Sequence, residues 1–403
     1  MKTIYSGRED YYSRKIFYQL MLLLASVYAI GIAGARHLAI PSVVLPLGIM
    51  ASIAYVWVAT THLGLARFRT NSIHLILVFA FLGIINCLLA MDPKASAMPW
   101  CLWLCLFSLM EILKDKLRYL LISTIEIFPI ALSIFLVFSV AVGWGDFGVG
   151  TKSGQVWATY AGPLVIFSLF SKSKYRYIYL AIGVLSLIGS VSRGAMISLA
   201  LSLSFIGYMR KGRKPIYLCL VPVAIIALFA SGIAQDIIRS FFAIKILRPD
   251  QTAMDDLSLT TGYRFNLWVE GVKLIAQRPF GYGLGDSYHA LLGAAVGKDS
   301  GRISVHNGYI TTILETGVII GGLMISIISI SAYRVFKIAF RNRLRPAQYI
   351  FGFYIFYMTR AMTENYLIFN TGNITSIIFI YFIFYSLKYK TPNYYESNAH
   401  ERV

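Results

Sequence analysis

Apolar stretches of about 20 residues recur from one end of the chain to the other, separated by short polar segments, and none alternates with a period of two. That pattern is the signature of membrane-crossing helices. A backbone in lipid must satisfy its own hydrogen bonds, and without the alternation of a β-barrel the helix is the remaining solution. The pattern predicts an all-α polytopic membrane protein of about twelve transmembrane helices: 16–34, 39–60, 71–91, 98–112, 119–142, 156–171, 177–191, 194–209, 215–233, 308–333, 347–366 and 373–387. A basic start (Lys2, Arg8, Arg14, Lys15) and Ala33-Gly34-Ala35 resemble a cleavable signal, but the apolar run is long and more spans follow, so an uncleaved first helix is expected.

Two places break the rhythm. Residues 177–209 are apolar except for Ser192-Arg193-Gly194 in the middle. Two short helices meeting at Arg193 fit best, with Gly194 permitting a tight reversal. Residues 234–304 form a long polar interruption. The chain therefore divides into 1–233 (spans one to nine), 234–304 (one large loop) and 305–403 (spans ten to twelve and a tail). Within the loop, 236–248 mixes bulky apolar side chains with Arg239, Lys245 and Arg248, as an interfacial helix does. Thr261 is placed to cap a second helix, in which Phe265, Trp268, Val269, Val272 and Ile275 recur at helical spacing until Pro279 and Gly281. Gly281, Gly283 and Gly285 read as a flexible turn, and Asp286 as the cap of a short helix through Leu292.

Composition agrees: 57% hydrophobic, 14% charged, mean hydropathy +0.66. Charge adds orientation. The net charge is +19, which in a soluble protein would raise nucleic acid as a partner. Here the basic residues concentrate in alternate short loops and at both termini: Arg67 and Arg69; Lys114, Lys116 and Arg118; Lys172, Lys174 and Arg176; Arg210, Lys211, Arg213 and Lys214; and Arg334 to Arg345. The bilayer is the partner this implies, and no nucleic acid is expected. By the positive-inside rule both termini are cytoplasmic and 234–304 lies outside. That loop is nearly neutral, with eight basic and seven acidic residues.

Candidate chemistry follows from charges near the membrane, which are costly and hence functional by default. Arg193 lies between apolar stretches near the outer surface. It either anchors a helix end by snorkelling or binds a ligand, and its planar fork suits phosphate oxygens. Arg264 is either an ordinary surface charge or part of the same site. His306, where the loop re-enters the membrane, has the intrinsic basicity of a general base. Cys87, Cys101, Cys105 and Cys219 lie in apolar spans and read as packing. His37, His62, His74 and His289 share no metal-ligand spacing, and no strand precedes the Gly-Tyr-Gly-Leu-Gly run, so a dinucleotide loop is not indicated. Glu111 and Glu126 suit either an ion pathway or pairing with a neighbouring helix.

Five motifs occur in order: Ser192-Arg193-Gly194; Gly262-Tyr263-Arg264-Phe265 with Trp268; Arg278-Pro279-Phe280-Gly281-Tyr282-Gly283; His306-Asn307-Gly308-Tyr309; and Leu314-Glu315-Thr316-Gly317. Together they resemble the O-antigen ligase and polymerase superfamily. The resemblance implies a metal-independent glycosyltransferase of the membrane GT-C type, with no cofactor, in the bacterial inner membrane and acting at its periplasmic face. It implies a glycan on undecaprenyl diphosphate as donor. A ligase attaches that glycan to the lipid A–core of lipopolysaccharide; a polymerase joins one repeat to another. The family's two functional arginines and histidine map onto Arg193, Arg264 and His306. The large outer loop favours the ligase. A lipid-linked-oligosaccharide flippase is the alternative of another class, but it gives less reason for such a loop.

Overall fold

A computed structural model describes residues 70–104, 129–137, 152–211, 256–296, 303–341, 345–364 and 382–383, apart from 95, 98, 102, 131, 135, 172, 190, 191 and 285–287. Among these residues every regular element is a helix and no strand occurs. In chain order the helices are α1 (Thr70–Leu89), α2 (Lys152–Ser168), α3 (Arg176–Gly189), α4 (Arg193–Lys211), α5 (Asp256–Gln277), α6 (His289–Ala295), α7 (Gly308–Arg341) and α8 (Arg345–Ala361). Six expected spans are thus helices, four of them within about four residues of the expected bounds; α7 runs eight residues past the expected 333, and α8 ends five residues before the expected 366. The spans at 16–34, 39–60 and 215–233, and the interfacial helix at 236–248, lie outside the described residues. Those at 98–112, 119–142 and 373–387 are described only in part.

Two packing centres hold the described helices. In the first, α2, α3, α4 and α8 meet around Ala161, Val165, Leu187, Ala195, Leu199 and Phe356. Close approach there depends on small residues, as it does wherever lipid removes the hydrophobic drive between helices. A Cβ on Gly162 would fall 2.1 Å from Phe356 Cε2, one on Gly183 2.9 Å from Val165 Cγ2, and one on Gly352 2.3 Å from Ile206 Cδ1. In the second centre, α5 and α6 pack on the start of α7 through Leu267, Leu274, Tyr282, Tyr288, Leu292 and Val305.

Among the described residues α7 is the helix long and apolar enough to cross a membrane. Its 34 residues would span roughly 51 Å as an unbroken helix, more than a hydrocarbon core of about 30 Å. Its most apolar window is only 39% buried, which suits contact with lipid better than a soluble core. Ile319, Leu323, Ile330 and Phe340 on α7 and Leu77, Phe81 and Leu88 on α1 are likewise exposed.

α7 is kinked. Gly317 has φ 85° and ψ 167°, so the helical ladder breaks there. The segment after α5 fills the break. Tyr282 N–H donates to Leu314 O at 2.7 Å, Gly283 N–H to Glu315 O at 2.9 Å, and Val318 N–H to Pro279 O at 2.8 Å. Every group freed by a kink needs such a partner when buried. Asn86 at the end of α1 completes the junction, donating from Nδ2 to Glu315 O at 3.0 Å and accepting from Trp100 Nε1 at 2.8 Å. Gly281 and Gly283 have φ of 87° and 95°. They are no flexible turn: a Cβ on Gly281 would lie 2.5 Å from Gly317 N, and one on Gly283 2.3 Å from Ala90 Cβ. Left-handed backbone and lack of room both require glycine. Gly285 lies outside the described residues.

Three further expectations are corrected. α5 begins at Asp256, five residues before the expected cap, and Thr261 lies inside it. Leu257-Ser258-Leu259-Thr260 lacks the periodicity that marks the rest, so patterning misses that turn. The short helix starts at His289, with Tyr288 at its N-cap and no side-chain cap. Tyr288 is fully buried, and that anchoring sets where the helix begins. Asp286 lies outside the described residues. On α5 the buried stripe is Leu267, Gly271 and Leu274, flanked by Trp268 and Ile275, whereas Phe265, Val269 and Val272 are exposed. The cause is Gly271: a Cβ there would sit 3.1 Å from Ile310 Cγ2, so the helix turns its glycine face to α7.

Candidate functional site

Three helix ends converge on one turn. It ends α8 and comprises Arg360 to Glu364, closed by N–H donation from Met362 to Thr359 O and from Thr363 to Arg360 O. Arg360 is 1% exposed and Glu364 4%. Burying a charge is tolerable only when it is paired. Arg360 NH1 lies 3.5 Å from Glu364 Oε1, one helical turn along.

The start of α4 meets this turn from one side. Ser192 O accepts the N–H groups of Ala195 and Met196, which opens the helix. A Cβ on Gly194 would lie 2.7 Å from Thr363 Oγ1 and 2.9 Å from Arg360 NH1. Gly194 is helical and serves close approach rather than the expected tight reversal, because a larger residue would push α4 off the turn. Arg193, the first residue of α4, is thereby set beside the Arg360–Glu364 turn along the backbone.

Arg264 meets the turn from α5. It is half-buried, and its NH1 donates to Thr363 O at 3.3 Å.

His306 meets it from the start of α7. Val305 O accepts from Trp268 Nε1 at 3.1 Å, which fixes the strand of chain leading in. Asn307 Oδ1 accepts from Tyr309 N–H at 3.0 Å and Ile310 N–H at 3.2 Å, an N-cap for α7. Between these anchors His306 adopts φ 52°, a left-handed conformation uncommon for a side chain of this size. The ring is one-third exposed, but Nδ1 is turned inward, 3.7 Å from Glu364 Oε2.

The structure thus gathers all three candidate positions, Arg193, Arg264 and His306, around one turn. Arg360, Thr363 and Glu364 are what sequence reasoning missed. The available signal was an arginine and a glutamate four apart near one end of the span expected at 347–366. The motifs Arg278–Gly283 and Leu314–Gly317 belong instead to the α7 kink. Arg278 donates to Leu89 O and lies over the Tyr282 ring, 5.5 Å from its centroid. Burial pushes the Tyr282 phenol up from its ordinary value, and the Arg278 charge offsets part of that. Its hydroxyl donates to Leu274 O at 3.1 Å.

Chemically, the arrangement offers the Arg264 guanidinium, the backbone position of Arg193, two helix N-termini and one imidazole with an exposed edge. Cations and helix N-termini together suit a phosphorylated group.

Comparison with known proteins adds the following. Residues 178–326 match the family model of O-antigen ligase. The matched stretch carries all five motifs and both ends of the α7 kink, and it ends before the Arg360–Glu364 turn. Over those residues the chain is similar to the O-antigen ligase and polymerase superfamily. A comparison with curated proteins finds no match.

Proposed function

We propose, on the premise of the ligase match over 178–326, that the protein is an O-antigen ligase of the bacterial inner membrane. It moves a glycan from undecaprenyl diphosphate to the lipid A–core of lipopolysaccharide at the periplasmic face. The observation that carries this reading is the convergence of Arg264, His306 and the start of α4 on one buried turn at the same end of α7.

Orientation supports it. The exposed basic residues Arg334, Lys337 and Arg341 lie at the opposite end of α7 from His306. By the positive-inside rule that end is cytoplasmic, so the site faces out. The reading keeps about twelve spans, a GT-C type frame and a periplasmic loop at 234–304.

The reaction needs no further energy source, because the donor is already activated. The acceptor hydroxyl oxygen attacks the anomeric carbon of the donor sugar. The bond from that carbon to the diphosphate oxygen breaks, and undecaprenyl diphosphate leaves with the bonding pair. Arg193 and Arg264 stabilise the charge that develops on it, by charge-assisted hydrogen bonds. The exposed edge of His306 takes the proton from the attacking hydroxyl.

Two experiments test the reading. Purified protein is mixed with an undecaprenyl-diphosphate-linked glycan and lipid A–core. Transfer onto lipid A–core is expected; transfer onto a second donor glycan instead makes it a polymerase, and no transfer at all sinks the enzyme reading. For orientation, a single cysteine replaces Asp255 in a cysteine-free background. Labelling by a membrane-impermeant reagent in intact spheroplasts is expected, and labelling only after permeabilisation would reverse the topology.

A further inference from the structure

The reading above, on which this inference rests, leaves unexplained why a buried acid lies against the solvent-shielded nitrogen of His306. We propose that Glu364, held by Arg360, is the positioning residue that sets the tautomer of His306. The carboxylate takes the Nδ1–H of the imidazole, which leaves the lone pair on Nε2 for the acceptor's proton.

The geometry carries this in three steps. Nδ1 of His306 is buried and has no hydrogen-bond partner among the described residues, while Glu364 Oε2 is 3.7 Å away. Catalytic hydrogen bonds are often long in a ligand-free state and tighten when substrate arrives. His306 is held at a left-handed φ of 52° between the Trp268–Val305 anchor and the Asn307 cap, with Nδ1 facing Glu364. Strain of this kind persists where neighbours over-determine a conformation, and it clusters at functional sites.

Glu364 is also fixed from behind. Its other oxygen, Oε1, lies 3.5 Å from Arg360 NH1, and Arg360 is buried with it. A carboxylate has two acceptor oxygens and can serve both Arg360 and Nδ1–H. A carboxamide has one acceptor oxygen, so it serves one of them and turns its NH2 toward the other. Facing that NH2, Nδ1 would have to become the acceptor, and the proton would move to Nε2. His306 would then have no lone pair at its exposed edge. Glu364 is too deeply buried to reach the substrate itself, so it acts through the histidine.

The test compares Glu364→Gln with wild type in detergent. The expected fall in kcat is at least a hundredfold, the lower end of what general base catalysis contributes (about 10²–10⁴). KM for the undecaprenyl-diphosphate donor should stay within about threefold, because the arginines are untouched. In a His306→Ala background the same substitution should cost nothing more, since groups that act as a unit are not additive. Unchanged kcat in Glu364→Gln, or a further loss in the His306→Ala background, overturns the proposal. If Glu364→Gln fails to accumulate, Glu364→Asp retains both acceptor oxygens but withdraws them. It should lose roughly tenfold in kcat, and nothing when His306 is absent. A readout without substrate separates this idea from the function itself. In 15N spectra of histidine-labelled protein, the His306 signal is isolated by difference against His306→Ala. It should report a proton on Nδ1 in wild type and on Nε2 in Glu364→Gln. A wild type that transfers no glycan but shows this switch would sink the ligase reading and keep the pairing. An active wild type with the proton on Nε2 would do the reverse.

Discussion

The site turn and the α7 kink are built from equally conspicuous sequence motifs, yet they are held in opposite ways. At the kink the break in α7 is filled by backbone-to-backbone bonds 2.7 to 2.9 Å long, and a Cβ on Gly281 or Gly317 would fall on other main-chain atoms. At the turn the contacts that reach it from α5 and α7, and the pair within it, use charged or ionisable side chains at 3.3 to 3.7 Å, and one imidazole edge is open. The first region is a closely packed joint. The second keeps longer contacts with room to tighten. Motifs of similar prominence therefore build a packed joint in one place and a charged turn in the other, even though they alternate along the chain.

Substitutions should separate the two regions, and the largest effect belongs to the kink. Gly281→Ala or Gly317→Ala drives a methyl into main-chain atoms 2.5 to 2.6 Å away at positive φ. Each should cost about 4 kcal/mol or more, the range reserved for severe core lesions, read as lost thermal stability in detergent and poor membrane yield. Gly322→Ala is the control, because nothing lies within 4 Å of its added Cβ. It should leave stability equal or raise it by up to about 1 kcal/mol through helix propensity.

At the site the expected losses are in rate and not in stability. His306→Gln should lower glycan transfer by about 10²–10⁴ while the unfolding midpoint stays put. His306→Ala should lose turnover and keep donor binding. If donor binding falls in step with turnover, the imidazole is a diphosphate ligand instead. Next come Arg193→Ala and Arg264→Ala, each worth about 2–4 kcal/mol of transition-state stabilisation by analogy with lost oxyanion donors. Lysine keeps the charge and loses the planar fork, so Arg→Lys should restore transfer only in part. The smallest effect is expected at the exposed Lys273–Glu270 pair, 2.7 Å apart with Lys273 61% exposed. Lys273→Ala should change the midpoint by less than about 1 kcal/mol equivalent and leave transfer alone.

Much of the helical frame was legible because apolar runs end at charges. Arg176 and Arg193 begin α3 and α4, and Lys211 and Arg341 close α4 and α7. The kink was not legible: a glycine inside an apolar run reads as small-residue packing, and only the partner segment reveals that Gly317 breaks the ladder. Arg193, Arg264 and His306 could be singled out as candidates through the motifs around them, but the meeting of their positions could not, since nothing local links α4, α5 and α7. The Arg360–Glu364 turn escaped for a simpler reason. Its opposite charges cancel in any count of loop charge, and Thr363 joins Arg264 through a main-chain carbonyl, which no side-chain pattern encodes.

The joint at Gly317 also constrains the order in which the chain can assemble. Asn86 and Glu315 meet across 229 positions, and Arg278 and Leu89 across 189. Closing such distances is slow compared with forming a helix, because the entropy of the intervening chain is lost before any contact rewards it. During synthesis the end of α1 must therefore wait, with the amide of Asn86 short of its Glu315 partner, until α7 has emerged. The segment after α5 is threaded between an early helix and a late one, and it sets only when α7 is in place. A nascent chain stopped before α7 should present α1 to membrane quality control as an incomplete helix, whereas one that has passed Val318 should be retained.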